Sequence, residues 1–132
     1  MIYKFKDLDF ELLYYIIIVD DKQELFEFDK THNFDIYSRL QEIPTSDGVV
    51  FSDLQNNDGI KSIVICFKPK YINGEIKYFL RLVSHECVHV TFRRFSDLGL
   101  IDKLKNKQDF SSYFAWIYEN ILDQLLKYRN QK

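Results

Sequence analysis

The stretch from Glu75 to about Phe95 constrains the fold most, because it contains neither Gly nor Pro. Those two residues are the usual breakers of helices. Apolar side chains occur on more than one side of this stretch, at Phe79, Leu82, Val83 and Val90, which is typical of a buried helix. We therefore predict one long helix here.

Strand signals precede that helix. β-branched and aromatic residues are concentrated from Leu13 to Val19, from Val49 to Phe51 and from Ser62 to Phe67, and such residues favour strands. We take the first of these runs as the first strand of the chain. The Asp58-Gly59 pair suits a turn, so a hairpin of the second and third runs is an expectation.

Shorter helices are expected over residues 22–30 and 35–43, the second ended by Pro44. After a polar linker over residues 96–107, Asp109 is expected to cap a final helix that runs to about Arg129. The length of 132 residues fits a single domain covering residues 1–132. The predicted fold class is α+β, a small mixed or antiparallel sheet with the long helix packed on it and a C-terminal helix.

Composition excludes several classes of protein. The net charge is -2 and no long block of Lys or Arg occurs, so no nucleic-acid partner is expected. The longest apolar run, Leu12 to Val19, is too short to cross a bilayer, so no membrane partner is expected either. Only two Cys are present and no secretory signal is visible, which makes a reducing, cytoplasmic location the expectation.

The chemistry of the chain is concentrated in the run His85-Glu86-Cys87-Val88-His89. Two His four residues apart lie on one face of a helix, and both imidazoles can reach the same tetrahedral ion. Glu86 points to the side of that face, where its carboxylate can accept a proton from water instead of binding the metal. We predict that His85 and His89 bind Zn2+, that Glu86 is a general base, and that Cys87 is a small buried residue. The alternative is a chance match, with two structural His and a solvated Glu.

From Ser62 to Leu126 the layout resembles small zincin-like proteins that bacteriophages and prophages encode, a gluzincin-like putative metallopeptidase family with the HExxH motif. The matching stretches are Phe79 to His89 and the pentapeptide Tyr113-Phe114-Ala115-Trp116-Ile117. The resemblance covers about half of the chain and is specific at the motif. It implies a zincin-like fold, in which an active-site helix carries the motif and the C-terminal helix closes the site.

The resemblance also implies a third ligand in the final helix. In peptidases of the thermolysin type a downstream helix supplies a Glu ligand, and an Asp four residues later orients the first motif His. Glu119 and Asp123 match that arrangement in type and spacing, so Glu119 is the predicted third ligand and Asp123 the predicted partner of His85. The phage family would place an acidic ligand where this chain has Ser112. Either the ligand has moved two turns along the helix, or Asp109 replaces it, or the metal has no third protein ligand.

The helical pattern leaves the role of Glu119 open. The apolar residues of the final helix form one broad stripe, and Glu119 points away from its centre, which is typical of a solvated carboxylate. Ala115, Leu122 and Leu126 lie on the same side as Glu119, which favours a second element packed there.

These features predict a zinc-dependent metallopeptidase that hydrolyses an unknown intracellular peptide or protein. His32, Tyr113 and Tyr118 are the candidates for stabilising the developing oxyanion. The rival is a non-catalytic zincin-fold interaction protein, a phage accessory or anti-host factor that binds a host protein, because a short chain leaves little room for a substrate cleft. The oligomeric state stays open.

Overall fold

The computed structural model describes residues 1–7, 12–41, 48–97 and 107–131, with the backbone alone for residue 41 and residues 107–109. Within these ranges the chain forms four strands and five helices. Contacts divide it into two compact units, Met1–Pro69 and Lys70–Lys132. The predicted α+β class is confirmed, whereas the zincin-like fold and the single domain stay predictions. The sequence Ser46-Asp47-Gly48 also predicts a turn, but its first two residues lie outside the described ranges, as does most of the predicted linker.

The first unit contains a four-stranded sheet. Its strands are β1 (Ile2–Asp7), β2 (Leu12–Ile18), β3 (Gly48–Gln55) and β4 (Lys61–Phe67), in the order β1-β2-β4-β3. β1 and β3 lie at the edges and run antiparallel to their neighbours, while β2 and β4 pair in parallel. The sheet is therefore mixed, one of the two predicted forms. β2 is the second strand of the chain and not the first, since β1 precedes it.

The two central strands are buried along most of their length because their sequences are mostly apolar. Every residue from Ser62 to Phe67 is buried, and so are those from Tyr14 to Ile18. Strands buried on both faces have such continuous apolar runs. The register pairs Tyr15 with Val64 and Ile17 with Cys66, and these four residues belong to the core cluster of the first unit.

A hairpin joins β3 to β4, as expected from the Asp58-Gly59 pair. The strands are antiparallel, and Gly59 has a φ of 78°, a backbone angle that glycine adopts without steric cost. The side-chain oxygen of Asn56 accepts the backbone N–H groups of Asp58 and Ile60. The predicted turn and the two predicted strands beside it are confirmed.

Two helices follow β2, namely α1 (Lys22–His32) and α2 (Ile36–Gln41). The Asp21 side chain caps the start of α1, and Asn33 ends it with a φ of 60°. The carboxylate of Asp29 then accepts the backbone N–H of Ile36 and of Tyr37 in the first turn of α2. Both predicted helices are confirmed within the described residues.

The second unit is helical and contains α4 (Ile76–Asp97), α5 (Lys107–Arg129) and all of α3 (Pro69–Ile72) except Pro69, which ends the first unit. The long α4 confirms the helix predicted from Glu75. The expectation that Asp109 caps the final helix is wrong, because α5 begins two residues earlier and Asp109 lies inside it. The sequence did not predict α3, in which Pro69 occupies the first position of a helix, where proline is tolerated.

Helices α4 and α5 pack against each other in antiparallel directions. The ring of Phe95, near the end of α4, lies 6.1 Å from that of Tyr113, near the start of α5. At the other end, the guanidinium carbon of Arg129 lies 5.2 Å from the ring centroid of Phe79. The same guanidinium donates to the carbonyl oxygens of Ile72 and Gly74 at 2.6 Å. Both ends of the helix pair are therefore held by side-chain contacts.

Among the helices of the described residues, none combines the length and the apolar character that a membrane-spanning segment needs.

Candidate metal centre

Helix α4 brings the two predicted histidine ligands together. The Nε2 atoms of His85 and His89 lie 3.1 Å apart, and the ring centroids are separated by 4.7 Å in an edge-to-face arrangement. Their four-residue spacing places them one turn apart on one face of the helix. Both side chains are exposed, so the two ring nitrogens converge at the exposed side of α4.

The separation of the two nitrogens fits a shared zinc ion. Two nitrogen ligands at the usual zinc distance and at a tetrahedral angle lie about 3.3 Å apart, close to the 3.1 Å between the Nε2 atoms. The same distance also suits a hydrogen bond in which one imidazole N–H donates to the other ring. The two nitrogens are therefore placed so that they can bind one metal ion, and the same distance is also compatible with a hydrogen bond between the two rings without a metal.

The charge state of His89 favours metal binding. Partial desolvation, the nearby His85 and the nearby Arg93 lower the pKa of His89 below its ordinary value of 6.5. A lowered pKa keeps the imidazole neutral near physiological pH, and the neutral ring is the form that donates a lone pair to a metal.

Glu86 and Cys87, between the two histidines, turn towards the buried side of α4. Glu86 is 5% exposed and Cys87 is fully buried. Burial and, secondarily, the Glu86 carboxylate raise the pKa of the Cys87 thiol to about 12. A protonated, buried thiol is a poor metal ligand, so Cys87 is the packed core residue that the sequence predicts.

Glu119 lies at the level of the histidine pair along α5 but on the exposed side of that helix. The antiparallel contacts place the middle of α5 opposite the middle of α4. Ile117 and Ile121 are fully buried, whereas Glu119 is exposed. Within the part of the chain that the structure describes, no three His, Cys, Asp or Glu side chains are grouped so as to hold a metal ion. The structure therefore does not bring Glu119 to the pair, and its role as third ligand stays a prediction.

The roles predicted for Asp123, as the partner of His85, and for Asp109, as a substitute ligand, also stay predictions. The Asp123 carboxylate lies 3.4 Å from the ammonium nitrogen of Lys127, in an exposed pair one turn apart. The side chain of Asp109 lies outside the described residues.

Of the side chains on the side of Glu119, Ala115 is exposed, while Leu122 and Leu126 are half-buried.

The three oxyanion candidates have packing roles. His32 belongs to the first unit, where its ring stacks on Phe28 with centroids 4.2 Å apart and its Nδ1 lies 2.8 Å from the Phe28 carbonyl oxygen. The ring of Tyr113 lies under the guanidinium of Arg94. Tyr118 is half-buried, and its ring stacks with that of Phe114. No observation assigns the oxyanion role to any of the three.

Exposed apolar side chains flank the histidine pair, a feature that the HExxH motif does not indicate. Tyr78 is 59% exposed, Phe92 47% and Val88 37%. We call Tyr78, His85, Val88, His89 and Phe92 together the histidine face. The signal in the sequence is the seven-residue interval from Tyr78 to His85 and from His85 to Phe92, since residues seven apart share one side of a helix.

Comparison of the chain with protein-family models, curated proteins and solved structures gives no match. The resemblance to zincin-like phage proteins therefore stays a prediction that depends on the motif.

Proposed function

We propose that the chain binds Zn2+ through His85 and His89 and hydrolyses peptide bonds with Glu86 as the general base. The observation that carries the proposal is the 3.1 Å separation of the two Nε2 atoms, close to the value for two nitrogen ligands of one tetrahedral ion. Glu86 follows His85 directly in the sequence, as the general base does in this motif.

Each residue has a separate task in this proposal. His85 and His89 hold the ion through neutral imidazoles, and the ion, when bound, supplies a Lewis acid that activates water and polarises a carbonyl. The carboxylate of Glu86 accepts the proton of the attacking water and returns it to the leaving amine. A peptide or protein is the proposed substrate, reached from the exposed side of α4. The zincin-like fold belongs to the same proposal.

Zinc binding is tested by elemental analysis of purified protein after zinc loading and dialysis. We expect stoichiometric zinc in the wild type and none in the double variant His85→Ala, His89→Ala. Lys77→Ala, an exposed substitution in the first turn of α4, is the matched control and should retain zinc. Wild-type protein without zinc would refute the proposal.

Hydrolysis is tested with Glu86→Gln, which removes the base and leaves both imidazoles. We expect zinc content to be retained while cleavage of unfolded protein or a mixed peptide library falls at least about 100-fold, the lower part of the range for general-base catalysis. Thermal unfolding of the variant checks that the buried substitution leaves the fold intact. Undiminished cleavage by Glu86→Gln would eliminate the proposed role of the carboxylate.

The third ligand is tested with Glu119→Ala. If Glu119 binds the ion, zinc affinity should fall about tenfold or more. Unchanged affinity would exclude Glu119, and Asp109→Ala is then the variant to measure. Thermal unfolding without zinc separates an effect on binding from an effect on folding.

A second candidate function is a non-catalytic interaction protein that binds a host protein. The exposed apolar side chains of the histidine face favour it, because apolar residues clustered on a surface mark contact sites. Zinc content does not separate the two functions, since both are compatible with a bound ion. Full biological function in Glu86→Gln would favour the interaction protein, and its loss with zinc retained would favour the peptidase.

A further inference from the structure

We infer that a second copy of this chain covers the histidine face, and that His85 and His89 of the two copies share one Zn2+. This inference rests on the zinc binding proposed above and not on hydrolysis. It assigns a partner to the exposed side of α4 and a form of regulation to the metal centre.

Coordination chemistry points to a second copy. Structural zinc sites have four ligands in a tetrahedron, and the histidine pair, with its Nε2 atoms 3.1 Å apart, forms one edge of such a tetrahedron. A twofold rotation about an axis through the ion carries this edge of the tetrahedron onto the opposite edge. Two identical chains related by that axis therefore supply all four nitrogens, and twofold symmetry is the commonest symmetry of protein dimers.

The residues beside the pair suit the same contact. Tyr78 and Phe92 lie one heptad before and after His85, and Val88 lies between the two histidines along the helix. A helix with apolar residues at such intervals can pack along an equivalent helix. The twofold rotation would place the exposed surfaces of Tyr78 and Val88 against their counterparts and remove them from water. It would also cover the part of Phe92 that its 5.0 Å ring contact with Phe110 leaves open.

The net charge of the chain gives no strong general repulsion between two copies. The net charge of the chain is only -2, and proteins with little net charge repel one another weakly.

Sharing the ion would control hydrolysis. A catalytic zinc needs a coordination position that is not taken by protein ligands, and four imidazoles occupy all positions of a tetrahedral ion. The paired form is therefore closed to substrate, whereas the single chain, with its own ion, keeps the position open.

Sedimentation velocity during a zinc titration of metal-free protein tests the inference. We expect the dimer fraction to be largest near one zinc per two chains, to disappear with EDTA, and to decline in excess zinc as each pair takes its own ion. A protein that binds one zinc per chain and stays monomeric throughout would overturn the shared ion but not the proposed zinc binding. A protein that binds no zinc would overturn both, and a dimer equally stable in EDTA would overturn the role of the metal.

Val88→Lys tests the contact without removing a ligand. It places two like charges across the proposed interface, so the dimer dissociation constant should rise at least about tenfold while zinc still binds. Ser112→Lys, which adds the same charge at an exposed position of α5, is the matched control and should leave the dimer unchanged. A dimer that tolerates Val88→Lys as well as Ser112→Lys would overturn the assignment of the histidine face.

Discussion

The buried Arg94 should stabilise the pair of helices α4 and α5 through the ring of Tyr113. Its guanidinium carbon lies 3.7 Å from the centroid of that ring and 4.8 Å from that of Phe95, and the residue is only 6% exposed. A cation over an aromatic face contributes about 0.5–1 kcal/mol when exposed and about 2 kcal/mol when desolvated. We therefore expect a coupling free energy of about 1–2 kcal/mol between Arg94 and Tyr113.

The perturbation is a double-mutant cycle of Arg94→Met and Tyr113→Leu, with urea unfolding of the wild type, both single variants and the double variant. Met retains an unbranched apolar side chain and removes the charge, and Leu removes the ring but stays apolar. The cycle cancels the other contacts of each residue, provided that neither substitution creates new ones. Arg94→Lys should recover only part of the coupling, because an ammonium lacks the flat surface that stacks on a ring. A coupling within about 0.3 kcal/mol of zero would refute the reasoning.

Three further predictions concern the first unit. Asp29→Ala should lower the free energy of unfolding by about 1–2 kcal/mol, because the carboxylate accepts two N–H groups at the start of α2; an unchanged urea midpoint would contradict this. Asn33→Ala should lower the free energy of unfolding by about 1 kcal/mol, because residue 33 has a φ of 60°. Asn33→Gly should change it by only about a few tenths of a kcal/mol. Equal stability of the two variants would argue against strain at this position. Burial and, secondarily, the Asp29 charge raise the pKa of the Cys66 thiol above its ordinary value of 9.0. The unfolded chain then loses this proton at lower pH than the folded chain. The contribution of Cys66 to the free energy of unfolding should therefore be fully present below pH 9.0 and decrease above it. A Cys66→Ala protein with the same decrease in urea unfolding would contradict the assignment.

The central strands were predictable because their signal is local. Ile63, Val64 and Ile65 form an apolar run of β-branched residues, which is typical of a strand buried on both faces. β1 gave no such signal, since Lys4 and Lys6 interrupt its apolar residues. A strand of this kind is fixed by pairing with β2, which sequence periodicity does not reveal.

The convergence of the two histidines was predictable to the same extent. The four-residue spacing of His85 and His89 determines their relation within one helix, and the structure brings their nitrogens together. The position of Glu119 depends instead on how α5 is rotated against α4. Spacing along α5 fixes which residues share a side, but packing decides which side meets α4, and the structure places Glu119 on the exposed side.

The parallel pairing of β2 with β4 has a consequence for how the chain folds. About 40 residues, which include α1, α2 and β3, separate the end of β2 from the start of β4, and closing a segment of this length costs conformational entropy before any ladder contact forms. The hairpin of β3 and β4 and the helix pair α4 and α5 involve shorter separations, so they can form earlier. We expect the β2–β4 ladder to limit the folding rate, because contacts distant in sequence slow folding. Until that ladder forms, β2 and β4 leave apolar strand edges open, and the nascent chain is then most prone to aggregation.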